Sequence, residues 1–446
     1  MRFVLSLLAI AAVVRGQTDP DALLDRARTR LEAMTRRLEK YVCIETVNRN
    51  YYRRVVPRDA PVLAEPLPAC TQPVAAVSGA NSGANSAGRE PRQLESTDRV
   101  RLEVTVSQSR ELHAWPGATG FDIRDVDELI RDGPVSTGSF GGYLASIFGH
   151  PGVAFHYNGE QSLEGRTVLE YGYRVPLEAS RFEVKVAGAW LPVAYEGEFW
   201  LDPQTLDLHR LTIRTNELPS AAAFCQAATT LDYQMVHIGT GDVLLPRQSQ
   251  LEIVNKSGRE TRNDTTFANC REYQADSELV FDLPADAKSA VAPRTGRGRV
   301  ALSIGLPVTL ALEGPIDTDT AATGDPVSAK VVRPVRRPGM TEDLIPAGSV
   351  VRGRIRRVEH HLFPKPYFLI AIAFNRVEVQ GGLSPFAARM EADPELAKEL
   401  GAKLDMRATG IWLWDVGTFL FPTAKPRYLI PAGFESKWFT LATGGR

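Results

Sequence analysis

The sequence predicts a mainly β chain (α+β): a curved antiparallel half-barrel with an N-terminal helix and plug helices, followed by a small β-barrel domain. Three observations predict it. Strand-like segments recur from residue 98 to 283 at the roughly 8–12-residue spacing of an all-β fold, with turn signals between them. One long helical pattern, residues 20–40, stands ahead of them. A polar stretch bearing Pro, Gly and arginines then separates this run from a second series of strand patterns.

Residues 1–16 (MRFVLSLLAIAAVVRG) carry Arg2, an apolar run from Phe3 to Val14 broken only by Ser6, and then Gly16. This order of charge, apolar run and small residue predicts a secretory signal peptide and a periplasmic or extracellular address. No cysteine follows the run, so no lipid anchor is expected. No later segment approaches the ~20 apolar residues of a transmembrane helix. The longest, Tyr367–Phe374, has strand length, and no transmembrane span is expected in the mature chain.

Asp19-Pro20 is a helix start, with a capping carboxylate and then proline at the first helical position. Leu24, Ala27, Leu31, Met34 and Leu38 follow at steps of three and four and form one apolar stripe. A strand is expected at 41–52. Residues 71–92 contain SGANSGANSAG, which cannot bury enough apolar surface to offset its ordering entropy, so a disordered loop is expected there.

Val100, Leu102, Val104 and Val106 alternate with polar residues, the period of a half-buried strand. Between Asp125 and Gly149 the apolar spacing turns helical around Gly133-Pro134, predicting two short helices. Strands are then expected at 153–157, 166–176, 180–187, 192–202, 207–215, 227–238, 244–254, 262–272 and 277–282. The turns between them fall at Asn158-Gly159, Asp202-Pro203, Gly239-Thr-Gly241 and Ser257-Gly258. This long meander defines a first domain at 17–285. A linker is expected at 286–303 and a C-terminal domain at 304–446, with strands near 306–312, 326–333, 349–358, 367–379 and 384–390. A short helix at 394–400 and a β tail complete it.

The four cysteines, Cys43, Cys70, Cys225 and Cys270, suit an oxidising compartment. Three pairings are open. Nearness in sequence favours Cys43–Cys70 and Cys225–Cys270.

Local features give two resemblances. The helix running into the strand at Tyr41, the hairpin Glu198-Phe-Trp-Leu-Asp-Pro-Gln-Thr205 with Leu208-His-Arg-Leu211, and the end Ser277-Glu-Leu-Val-Phe-Asp-Leu-Pro284 resemble the lipoprotein carriers of the LolA/LolB-like family. That resemblance covers about 19–285 and implies a half-barrel plugged by helices. Thr323-Gly-Asp-Pro-Val327, Leu344-Ile-Pro-Ala-Gly-Ser-Val-Val-Arg-Gly353 and Leu369–Val377 resemble the small β-barrel of the TrbI-like conjugation-channel component. In that pattern Pro346 fixes φ and Gly348 permits a left-handed turn. The whole chain also resembles an exported acidobacterial protein family, a resemblance that implies no activity.

The chain of 446 residues carries 52 basic and 53 acidic side chains. That balance argues against nucleic acid as a partner. Its seven histidines show no zinc-binding spacing, and His360 and His361 would face opposite sides of a strand. No metal or other cofactor is expected. No G-x-S-x-G or phosphate-loop motif occurs. Ser139 reads as a helix cap, and Asp125, Asp127 and Glu128 as charges at a helix start.

Two groups remain as candidates. Trp115, Phe140, Tyr143, Phe148, Phe155, Phe199 and Trp200 would lie between sheet and plug, as core or as the lining of an apolar ligand cavity. Arg352, Arg354 and Arg356 alternate on a strand, as a solvated face or as a contact for an acidic partner. Trp412, Trp414 and Trp438 read as core or as a docking surface. The sequence therefore supports a non-enzymatic envelope protein that binds a lipid, lipoprotein or other apolar or amphipathic ligand. An alternative is a structural subunit binding an envelope protein partner. An enzyme would require a convergent acid pair or nucleophile that sequence does not locate.

Overall fold

The computed structural model describes residues 19–55, 92–272 (apart from 109, 122–125, 131–132, 136, 187, 216–217 and 240) and 302–442 (apart from 380, 391–392 and 403–415). The signal peptide, the 71–92 loop except Arg92, the linker through 301, the strand expected at 277–282, Cys70, Asp125, Trp412, Trp414 and the side chains of Asp127 and Glu128 lie outside the described residues.

Helix α1 (Pro20–Leu38) starts where its cap predicts: Asp19 accepts a hydrogen bond from the Asp21 N–H at 3.2 Å. It buries Ala27, Leu31, Met34, Thr35 and Leu38, the stripe read from the sequence, and ends with Arg36 and Arg37 beside its unpaired carbonyls. The chain turns at once into β1 (Tyr41–Arg54), then β2 (Arg92–Ser107) and β3 (Arg110–Ala114). Helices α2 (Val126–Leu129) and α3 (Gly142–Phe148) follow, one on each side of Gly133-Pro134. The long meander contains β4 (Ala154–Leu163), β5 (Arg166–Val175), β6 (Glu183–Val186), β7 (Ala189–Pro192), β8 (Tyr195–Leu201), β9 (Leu208–Arg214), β10 (Phe224–Ile238), β11 (Gly241–Asn255) and β12 (Glu260–Glu272).

The spatial order is β4-β5-β8-β9-β10-β11-β12-β1-β2-β3, antiparallel throughout. The end strands β3 and β4 do not pair with each other among the described residues, so the sheet is open. Helices α1 and α3 lie on one face.

Three expectations are corrected here. First, β1 lies between β2 and β12, so the start of the chain pairs with the end of the meander. That pairing brings Cys43 to Cys270, and these two form a disulfide across 227 residues of chain, with Cα atoms 4.0 Å apart. The expected pairs Cys43–Cys70 and Cys225–Cys270 are therefore incorrect: nearness along the chain does not measure nearness across a sheet. The bridge falls at a bulge, where the register shifts between Val42 and Ile44. Cys225 is disulfide-bonded as well. Second, Asn158-Gly159 is not the hairpin turn. It is a register shift inside β4, and the turn is Glu164-Gly165, both at positive φ (51° and 80°). Third, β6 and β7 form their own two-stranded sheet, so that β5 pairs with β8.

The second half contains β13 (Pro307–Leu312), β14 (Ile316–Asp317), β15 (Pro326–Val331), β16 (Val335–Arg336), β17 (Asp343–Ile345), β18 (Val350–His361), β19 (Tyr367–Val379), β20 (Gly382–Pro385) and β21 (Ala388–Arg389). After α4 (Pro394–Leu400) come β22 (Gly417–Pro422), β23 (Leu429–Ile430) and β24 (Glu435–Thr440). The ring β13-β15-β18-β19-β22 closes through the Met390–Gly417 bridge to β21, β24 and back to β13. Trp438 lies inside it, 1% exposed and edge-on to Phe374 at 5.1 Å, so it is core. Gly417 makes room: a Cβ there would come within 2.2 Å of the Trp438 ring. Gly348 adopts the left-handed conformation expected of the Ile-Pro-x-Gly turn (φ 83°).

The two halves share hydrogen-bonded strands. β18 pairs with β2 through Glu359–Asp98, His360–Thr97 and His361–Ser96, and Val100 bridges Thr323. No described helix is long and apolar enough to cross a membrane.

Candidate functional site

The face of the sheet beneath α1 and α3 is aromatic because alternate residues of β5 and β8 point inward. Phe199 sits at its centre. Tyr171 stacks on it at 5.3 Å, and Phe148 and Phe155 meet it edge-on at 5.1 and 6.0 Å. Tyr143, Phe182, Tyr195 and Tyr173 continue the chain of rings at spacings of 5.8–6.3 Å. Burial pushes the phenols of Tyr171 and Tyr195 up to about 12, so both stay neutral hydrogen-bond donors or acceptors. Tyr171 donates to the Pro20 carbonyl at 2.9 Å and ties the start of α1 to the sheet.

Of the seven aromatic candidates, the structure brings together Tyr143, Phe148, Phe155 and Phe199. Phe140 belongs to a neighbouring cluster with Phe267, 5.7 Å away. Trp115 packs on a third cluster, that of α2. Trp200 is on the opposite face of β8, where its Nε1 donates to Glu170 at 3.0 Å.

The plug is fastened by a residue that sequence reading did not single out. One Glu111 oxygen accepts from the N–H groups of Phe140, Gly141 and Gly142 at 2.7, 2.9 and 3.2 Å, and the other accepts from Gly138 at 2.6 Å. Ser139 is not the cap: its hydroxyl meets that of Ser249 at 3.2 Å, and the cap position is Gly141. The carboxylate arrives from β3, so no local motif announces it. Next to it, His113 Nε2 lies 3.3 Å from Glu45 Oε2, with both side chains buried.

Along the outer side of α1 runs an open groove of about 590 Å³. Arg26, Arg30 and Arg37 line it, with Ala33 and Met34 supplying apolar surface. Arg30 reaches Asp207 in the β8–β9 turn at 2.6 Å, and Arg37 donates to the Asp242 carbonyl at the start of β11 at 3.4 Å. The sequence hides this groove because its arginines read as the solvated side of an amphipathic helix.

The arginines of β18 separate. Arg352 remains exposed, 3.5 Å from Glu378. Arg354 donates to the carbonyls of Pro116 (2.7 Å) and Gly324 (2.9 Å), and Arg356 lies over the Trp115 ring. Arg354 and Arg356 thus meet the same Trp115-Pro116 segment, and the register against β19 shifts at Arg352/Gly353 and Ile355/Arg357. Beside them, Arg49 holds Asp98 through two bonds of 2.6 and 2.8 Å. Burial would raise the Glu359 carboxyl, but His361 and Arg357 hold it down at about 2. His360 and His361 stack on Phe368 and Tyr367, on opposite faces as expected. Among the described residues no three metal-ligating side chains converge.

No family model and no curated protein matches the chain. Among solved structures, it is similar to a DUF1329 family protein from Desulfovibrio piger (12% identity, 59% of this chain and 98% of that one, TM-score 0.29). It is also similar to a LolA superfamily protein from Nitrosomonas europaea (8% identity, 57% and 93%, TM-score 0.25). ComB10 of the Com type IV secretion system of Helicobacter pylori matches over 33% of this chain and 90% of its own (16% identity, TM-score 0.18). At these scores the likenesses carry no argument about function.

Proposed function

We propose that the chain is a binding protein of the bacterial envelope that holds an apolar or amphipathic ligand between its N-terminal sheet and the α1–α3 plug. The observation that carries this reading is the aromatic layer beneath the two-helix cover. Helix α1 buries five of its 19 residues against the sheet, and α3, flanked by glycines, buries five of its seven. Aromatic side chains present large apolar faces against which an aliphatic chain can lie. The Cys43–Cys270 disulfide suits the oxidising envelope.

Extraction of the natively exported protein with denaturing organic solvent, followed by mass spectrometry, tests the reading. A stoichiometric amphiphile is expected. A clean extract from protein that also fails to take up lipid from envelope vesicles sinks it.

An assembly role is the second reading, favoured by β4. This ten-residue edge strand is exposed over most of its length and pairs only with β5 among the described residues. Sedimentation of the purified chain alone and with envelope extract decides it: a monomer throughout excludes that role.

A further inference from the structure

The groove beside α1 offers a polar end for such a ligand. We propose that it binds the anionic head of a single-chain amphiphile, whose chain enters the core past Met34. This deepens the carrier reading and rests on it.

Met34 belongs to both environments. It is buried in the cluster that holds Leu231, Tyr233 and Leu244, yet it also lines the groove. An unbranched thioether yields more easily than a β-branched side chain. Met235 packs on the same cluster from β10, a second adaptable side chain there.

The head-group chemistry follows from helix geometry. Arg26, Arg30, Ala33 and Arg37 fall along one line of the helix surface, because steps of four, three and four return to the same side. Ala33 leaves a gap between Arg30 and Arg37, whose Cα atoms are about 10 Å apart along the axis. Three guanidiniums and one carboxylate, Asp25, line the groove, and Arg30 pairs with Asp207 beside it. Arg37 donates to the Asp242 carbonyl. Guanidinium forks match phosphate and carboxylate oxygens in pairs, which selects an anionic head over a zwitterionic or sugar head.

The test uses the full exported chain and three probes: dodecyl phosphate, dodecyl maltoside and inorganic phosphate, titrated calorimetrically below micelle formation. Dodecyl phosphate is expected to bind about tenfold or more tightly than dodecyl maltoside. In Arg26→Ala/Arg37→Ala that preference should vanish while maltoside binding is retained. Both arginines are exposed, so an unchanged circular dichroism spectrum and melting temperature are expected of the variant. Equal binding of the two detergents, unaffected by the substitutions, overturns the head-group site and leaves the carrier reading standing. Binding of neither detergent overturns the carrier reading and this proposal with it. Inorganic phosphate binding as tightly as dodecyl phosphate overturns the proposal in favour of a plain anion site.

Discussion

Burial by itself would lower the pKa of His113, yet the hydrogen bond and charge of Glu45 outweigh it and raise the imidazole above its ordinary value. The pair is an ionic contact sealed in a sheet interior, and its contribution to stability has a definite sign. A histidine whose folded value exceeds its unfolded one stabilises the fold fully below about pH 6.5, and the contribution is lost as pH rises through the folded value. Urea denaturation at pH 6 and pH 9 should therefore show the native chain losing stability on the alkaline side. The double variant Glu45→Gln/His113→Gln should show a flatter profile over that window. Equal slopes for both would mean that the pair does not titrate with folding. Arg37 and Met34 make a related point at this scale: a charged residue and a core residue three positions apart on one helix share one groove.

Helix α3 is an element whose existence was legible and whose anchoring was not. Its apolar spacing and flanking glycines are local signals, as are the capping of α1 by Asp19-Pro20 and the start of α4 at Pro394. Glu111 can be recognised as the cap only once β3 is placed beside the 138–142 turn. Replacing Glu111 by Gln keeps the shape and removes the charge that four backbone N–H groups share. A loss of about 2 kcal/mol is expected, the scale of hydrogen bonds to a charged group. Amide exchange should accelerate over residues 138–149 while β5 and β8 stay protected. Uniform acceleration across the sheet would show that Glu111 supports the whole fold rather than the plug. The same division explains the other departures. Two turn-competent dipeptides, Asn158-Gly159 and Glu164-Gly165, compete within seven residues, and only the pairing of β4 with β5 decides between bulge and turn. The disulfide partner of Cys43 depends on strand register across most of the chain. The aromatic candidates were legible as types, because β5 and β8 alternate cleanly. The strand assigning Trp200 outward also follows from that alternation, whereas the sorting of Phe140 and Trp115 into separate clusters needs the helices in place.

At the scale of the molecule, β2 is the shared member. Residues 96–98 pair with β18 on one side and with β1 of the N-terminal sheet on the other. The backbone of Thr323 accepts from Arg101 and donates to Arg99, both at 2.8 Å. Arg101 also holds Asp325 at 2.5 Å, and Arg354 clamps the Pro116 and Gly324 carbonyls across the joint. Gly324 has to be glycine here, since φ is 104° and a Cβ would fall 2.4 Å from the Arg101 carbonyl. Domains joined only by a linker move and melt independently, whereas a joint made of backbone pairing and half-buried charge couples them. One calorimetric unfolding transition is therefore expected for the native chain. Asp325→Ala/Arg354→Ala removes the Arg101–Asp325 ion pair and the Arg354 clamp from the joint without touching either core. It should separate that transition into two, with the disulfide-bearing N-terminal half identifiable by the shift of its component under reducing conditions. Two transitions already present in the native chain would show that the shared strand does not couple the halves.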